Sequence, residues 1–180
     1  MKKVKLFIIL MTTFYMQGCS DENQAVAYFD QIYLPVQELL EIDEKFQENL
    51  SVYITTDEGD SLIIEEDLPN FENLNASLII LQLFIEEQLV NIDKHEVYKS
   101  EFHLKQASKL LFTSYANEIK NSYPKIIELL KKQEVQEAEL NELNELLQQT
   151  QYHLDTVLDQ FYVSAMDYAD RYHIELEDEE

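Results

Sequence analysis

Past residue 18 the chain holds one glycine, Gly59, in 162 residues. Sandwiches and barrels reverse direction many times, and their tightest reversals use glycine because it enters positive φ without steric cost. A chain this poor in glycine is therefore directed to long helices with few connections. Its dominance by Leu, Glu, Gln, Ile and Asp, with three prolines and no tryptophan, agrees with that.

Apolar spacing places four helices. Ala25, Phe29, Ile32, Val36, Leu39, Phe46 and Leu50 recur at steps of three, four or their sum, predicting a first helix from about Asn23 to Leu50. Pro35 inside this pattern predicts a kink near Gln31 to Leu34 or a late start. Asp43 falls on the stripe, either as an inward carboxylate or, the preferred reading, at its edge reaching solvent. From Ser51 to Pro69 the period fails. Val52–Thr56 and Ser61–Ile64 are β-branched or aromatic around Asp57-Glu58-Gly59-Asp60, the pattern of a small β-hairpin between helices 1 and 2. Asn70 then caps a second helix, with a stripe of Leu74, Leu78, Leu81, Ile85, Leu89 and Ile92. Ile79, Ile80, Leu83 and Phe84 make it apolar on most sides, so it is expected to be the most buried of the four. The third helix opens at Ser100 or Glu101. It faces the core with Leu104, Ala107, Leu111, Tyr115, Ile119, Tyr123, Ile126 and Leu130, with a kink or restart at Pro124. The fourth runs from about Gln136 to Tyr172 with Leu140, Leu143, Leu147, Leu154, Val157, Phe161, Ala165, Tyr168 and Tyr172 inward. The expected fold class is all-α, an up-down-up-down four-helix bundle with long third and fourth helices and a small hairpin.

The first residues carry an address. Lys2, Lys3 and Lys5 precede an uncharged apolar run, Leu6 to Met16, and Gly18 precedes the only cysteine, Cys19. This is the layout of a secretory signal, and the run is too short for a permanent membrane span, which needs about 20 residues. Met16-Gln17-Gly18-Cys19 resembles the lipobox of bacterial lipoproteins, although Met16 stands where Leu is usual and Gln17 where a small or β-branched residue is usual. The resemblance implies cleavage between Gly18 and Cys19 and lipidation of Cys19, which makes the membrane the first partner. Each buried methylene contributes about 0.8 kcal/mol, so two or more acyl chains hold a protein firmly. Ser20-Asp21-Glu22 resembles the surface-export signal of Bacteroidota lipoproteins, implying an outer-membrane protein that faces the medium. The alternative is the periplasmic face, with Asp21 and Asn23 serving only as helix caps. The chain then divides into a signal peptide (1–18), a lipidated tether (19–24), a bundle domain (25–174) and an acidic tail (175–180).

Cleavage removes three of the 13 Lys and Arg and none of the 36 Asp and Glu; 10 against 36 leaves a net charge of −26. That excludes nucleic acid and anionic lipid headgroups as partners and suits cations, or simply keeps the protein dispersed. With Cys19 lipidated no disulfide is available, and packing alone must hold the domain.

Four-helix bundles often house di-iron sites, which need Glu-x-x-His on two helices. None of His95, His103, His153 and His173 has Glu three residues before it, and Asp170-x-x-His173 stands alone near the chain end. Haem-attachment, zinc-hydrolase and phosphate-loop motifs are missing too. Hence no catalytic residue, metal ligand or cofactor is assigned. Tyr152, Phe161, Tyr162, Tyr168 and Tyr172 read as packing, with a hydrophobic groove between helices as the alternative.

The mature chain resembles a family of small helical surface lipoproteins of unassigned function, frequent in the Bacteroidota. The Ala-x-x-Tyr-x-Asp opening at Ala25 to Asp30, the run Phe102 to Leu130 and the ending Phe161 to Ile174 look most alike. The resemblance supports the bundle and the envelope location and transfers no active site; Ser51 to Pro69 fits it poorly. The expected function is a non-enzymatic, lipid-anchored envelope protein that binds an unknown protein partner or small ligand. The competing expectation is a metal-dependent enzyme or metal carrier using inward carboxylates such as Asp43 with a histidine.

Overall fold

A computed structural model describes residues 2–56, 62–64, 71–100, 102–132 and 136–175, with side chains from 21–54, 71–100, 103–132 and 136–175. The side chains of Gly18, Cys19 and Ser20, the turn at residues 57–61, the expected cap Asn70 and the tail beyond Glu175 lie outside the described set.

Helix α1 spans Lys2–Ser51, α2 Glu72–Lys94, α3 Phe102–Leu130 and α4 Glu137–Tyr172, with a short 3-10 turn at Tyr98–Ser100 before α3. Cross-helix contacts give their directions. Tyr168 Oη donates to the Ala25 carbonyl at 3.2 Å and Phe161 stacks on Tyr33, so α1 and α4 run antiparallel. Phe84 meets Phe112 while Asp93 meets Lys109, which makes α2 and α3 antiparallel. Tyr115 reaches Asp43 and Tyr123 packs on Phe46, so α1 and α3 lie parallel across the bundle. Each helix thus packs mainly on its neighbours in sequence order, with α4 closing back on α1.

The core follows the helical stripes. Ala25, Phe29, Ile32, Val36, Leu39, Phe46 and Leu50 of α1 are all buried, as are Leu104, Leu111, Tyr115, Ile119, Tyr123, Ile126 and Leu130 of α3. Aromatic side chains fill one end: Tyr28, Phe29 and Tyr33 of α1 interleave with Phe161, Tyr162 and Tyr168 of α4, and Tyr172 packs on Tyr98. Such pairs contribute about 0.5–1.5 kcal/mol each beyond the area they bury. Among the described residues no helix is long and apolar enough to cross a membrane.

Several expectations are corrected. The architecture is an all-α bundle in which α3 and α4 are long, but α1, at 50 residues, is the longest element. The small hairpin expected within Val52–Thr56 and Ser61–Ile64 is shorter than those segments. Val52 and Tyr53 lie in the turn that ends α1, and among the described residues β1 (Ile54–Thr56) pairs antiparallel with β2 (Leu62–Ile64). Tyr53 is instead drawn into the helical core, stacked on Phe71 at 4.4 Å. Pro35 does not divide α1 and Pro124 does not divide α3. A proline inside a helix costs about 3 kcal/mol, but Ile32, Val36 and Leu39 are buried on both sides of Pro35 and hold the helix through it. Because α1 begins upstream, Asp21 and Asn23 cap nothing.

The scarcity of glycine has a local consequence. Lys99, Ser100 and His173 all take positive φ, at 46°, 68° and 55°. His173 ends α4 in the left-handed conformation, its N–H directed at the Ala169 and Asp170 carbonyls, with Ile174 N–H bonding Ala169 O at 2.9 Å. This arrangement normally takes glycine. At the other end of α4, Gln136 and Glu139 form a reciprocal capping box, and Lys132 pairs with Glu139 at 2.6 Å.

Candidate functional site

Asp43 lies one turn before Gln47 on α1, so both present polar groups to the same side. Tyr115 Oη donates to Asp43 Oδ2 at 3.1 Å. Gln47 Nε2 lies 3.3 Å from Asp43 Oδ1 and 3.4 Å from the Tyr123 hydroxyl. Burial pushes the Asp43 carboxyl above its ordinary value, the Gln47 and Tyr115 donors pull it partly back, and the charge of Asp155 adds to the rise. Burial, reinforced by the Asp43 charge, likewise raises the Tyr115 and Tyr123 phenols. Both hydroxyls therefore stay protonated and remain donors across the physiological range. Asp43 is thus a half-buried, hydrogen-bonded group, and the preferred reading of it as a stripe-edge carboxylate reaching solvent is corrected.

Tyr123 and Gln47 form one wall of a recess of about 440 Å³ between α1, α3 and α4. Leu50, Ile126 and Leu147 supply hydrocarbon; Gln148, Gln151, Thr150, Tyr152 and Asp155 complete the lining. The volume is in the range of small-molecule sites, which combine apolar walls with a few placed polar groups. Asp155 is the one charged side chain among the described lining residues, and it accepts a bond from Gln151 at 2.8 Å. Tyr152 is 76 % exposed at the rim, so it does not serve packing as expected; Phe161 and Tyr168 do, fully buried, while Tyr162 and Tyr172 pack half-buried against the same core.

A second polar group adjoins the recess. Glu118 of α3 accepts bonds from Ser122 and from Thr150 of α4, and lies 2.7 Å from His153 Nδ1. The Glu118 side chain is only 12 % exposed. Serine, histidine and glutamate do meet here, but in the wrong order for nucleophilic catalysis. The carboxylate stands between them, whereas an activated serine needs its hydroxyl on the imidazole.

A larger recess of about 610 Å³ lies between residues 21–31 of α1 and the α2–α3 connection. Two of its lining side chains are engaged with Asp21. Lys99 pairs with Asp21 at 3.0 Å, which pushes the lysine up to about 12, and Tyr98 donates to the Asp21 carbonyl at 2.9 Å.

Of the residues singled out by sequence, Gly18, Cys19 and Ser20 have no described side chains. Asp21 braces the α2–α3 connection, and Glu22 is exposed. No histidine joins Asp43, and among the described residues no group of three or more His, Cys, Asp or Glu is placed to hold a metal ion. His173, the nearest match to a ligand motif, is the exposed cap of α4. The sequence reading offers a groove between helices only as the alternative to packing, with Tyr152 among its residues, and does not assign to it the other residues of the recess. Its signal was Gln47 in phase with Asp43, and tyrosines rather than phenylalanines on the α3 stripe, since a buried phenol requires a partner. Comparisons of the chain with protein-family models, with curated proteins and with solved structures each find no match.

Proposed function

We propose that the mature chain is a lipid-anchored protein of the bacterial outer membrane, facing the medium, that binds a compact organic cation without transforming it. The reading of anchor and location is supported by the lipobox-like Met16-Gln17-Gly18-Cys19 and the acidic Ser20-Asp21-Glu22. The observation that carries the binding role is the recess between α1, α3 and α4. Its hydrocarbon side accepts an apolar body. Asp155 offers a carboxylate, and the exposed Tyr152 ring offers a face that attracts cations by about 0.5–1 kcal/mol. No lysine or arginine is among the described lining residues, and the chain's net charge of −23 before cleavage raises the local concentration of cations.

Calorimetric titration of the mature chain with phenethylamine and with phenylacetate tests this reading. The amine is expected to bind and the acid not to, and Asp155→Asn is expected to weaken the amine by up to about fivefold, the ~1 kcal/mol upper value of one exposed charge contact. Equal binding of both compounds, or of neither, contradicts the proposal. The anchor is tested by fatty-acid labelling of cells, in which Cys19→Ser is expected to lose the label.

A further inference from the structure

Helix α2 was expected to be the most buried helix, and it is not. Leu74, Ser77, Leu81, Ile85 and Ile92 face inward, but Ile79, Ile80, Leu83 and Val90 are 56, 56, 60 and 56 % exposed. At 100° per residue these four, with exposed Ala76, fall within about 100° of arc and form one outward strip. Eleven residues separate Ile79 from Val90, about 16 Å or three turns. The four side chains leave open on the order of 400 Å² of apolar surface, a patch size that commonly marks an interaction site.

Charge selects what covers it. Glu72, Glu86 and Glu87 lie in or beside the strip and are exposed. Lys94 is the helix's one cation, and it donates to Asn91 at its far end. A second copy of the chain fits poorly. Two such strips facing each other would bring Glu86 and Glu87 of both copies together in a molecule already far from neutrality. The strip also reaches only half of the ~800 Å² that each partner gives to a stable interface. A lipid surface rich in anionic headgroups is repelled for the same reason. A helix with an apolar face bordered by lysine or arginine matches both features, with its hydrocarbon on Ile79, Leu83 and Val90 and its cations on Glu86 and Glu87.

We propose that the outer face of α2 is a docking surface for a cationic amphipathic helix, independent of the recess between α1, α3 and α4. The test uses fluorescence anisotropy with a labelled 18-residue Leu/Lys peptide patterned as an amphipathic helix, and a scrambled peptide of the same composition. The mature chain is expected to bind the patterned peptide at least tenfold more tightly than the scrambled one. Leu83→Ser and the pair Glu86→Lys, Glu87→Lys, all at exposed positions, are each expected to weaken it at least tenfold. Asp155→Asn is expected to leave it unchanged. Equal binding of the two peptides, or binding indifferent to the α2 variants, would show attraction to a polyanion only and overturn the proposal. So would a dimer in sedimentation velocity that Leu83→Ser dissolves, since the strip would then be covered by a second copy.

Discussion

Replacing Tyr115 by Phe removes the phenol that donates to Asp43 at 3.1 Å and changes little else. A hydrogen bond to a charged group contributes about 1.5–3 kcal/mol, and a neutral one about 0.5–1.5. Asp43 is half-buried and can lean toward water when the phenol is gone, so the lower half of the charged range applies, about 1.5–2 kcal/mol at pH 7.5. The pH dependence has a definite sign. Burial raises the Asp43 carboxyl in the folded chain, so above its ordinary value the folded state holds more proton than the unfolded state, and stability falls as pH rises through that window. The cost is absent below the unfolded value and complete above the folded one. Tyr115→Phe takes away a donor that opposes the rise, so it should move the Asp43 titration further up. Asp43→Asn removes the buried charge and keeps an acceptor for Tyr115, so its stability at pH 7.5 should lie within about 1 kcal/mol of the unaltered chain. In the double variant Tyr115→Phe should cost only the neutral bond, a coupling of about 1 kcal/mol. Urea unfolding of the four proteins measures the cycle, and carboxyl-carbon NMR follows Asp43. A coupling near zero, or an Asp43 titration unmoved by Tyr115→Phe, would refute the reasoning.

Phe161→Ala should cost about 3–5 kcal/mol, because the ring is fully buried, stacked on Tyr33 and packed at a tilt against Tyr162; a loss below 1 kcal/mol in urea unfolding would place it outside the core. His173→Gly should raise stability by about 1 kcal/mol by relieving the left-handed cap at φ 55°, visible as a higher thermal midpoint. Replacing Asp21 and Glu22 by Ala should keep the protein inside the cell, protected from added protease. Its stability should hardly change, because the Asp21–Lys99 pair is exposed and screened by solvent; unchanged protease sensitivity in the variant would remove the export role.

The helices were legible because a stripe such as Ala25 to Leu50 needs only periodicity to be seen; the α1 and α3 stripes are buried almost residue for residue, while on α4 Leu140, Leu147 and Tyr172 are only half-buried. The misreading of α2 has a physical cause. Counting Ile79, Ile80 and Leu83 as apolar says they favour burial, but a helix at the corner of a four-helix bundle has partners on two sides only. Pro35 was weighed as a local breaker, whereas the packing of Ile32, Val36 and Leu39 decides the matter at the tertiary level. The start expected near Asn23 follows the onset of the apolar stripe, whereas α1 continues upstream of it; the Asp21 carboxylate, offered as a cap in the alternative reading, pairs with Lys99, 78 positions away, which spacing cannot reveal. The recess was hidden for the same reason. Gln47, Tyr123 and Asp155 come from three helices, and only the bundle brings them together.

Amide chemical shifts of the ¹⁵N-labelled mature chain during titration with phenethylamine address the binding claim most directly. The account predicts saturable changes concentrated at Gln47, Tyr123, Gln148, Gln151, Tyr152 and Asp155, the residues that line the recess, and their weakening in Asp155→Asn. Changes spread over the acidic surface without saturation, or none at the recess, would contradict it.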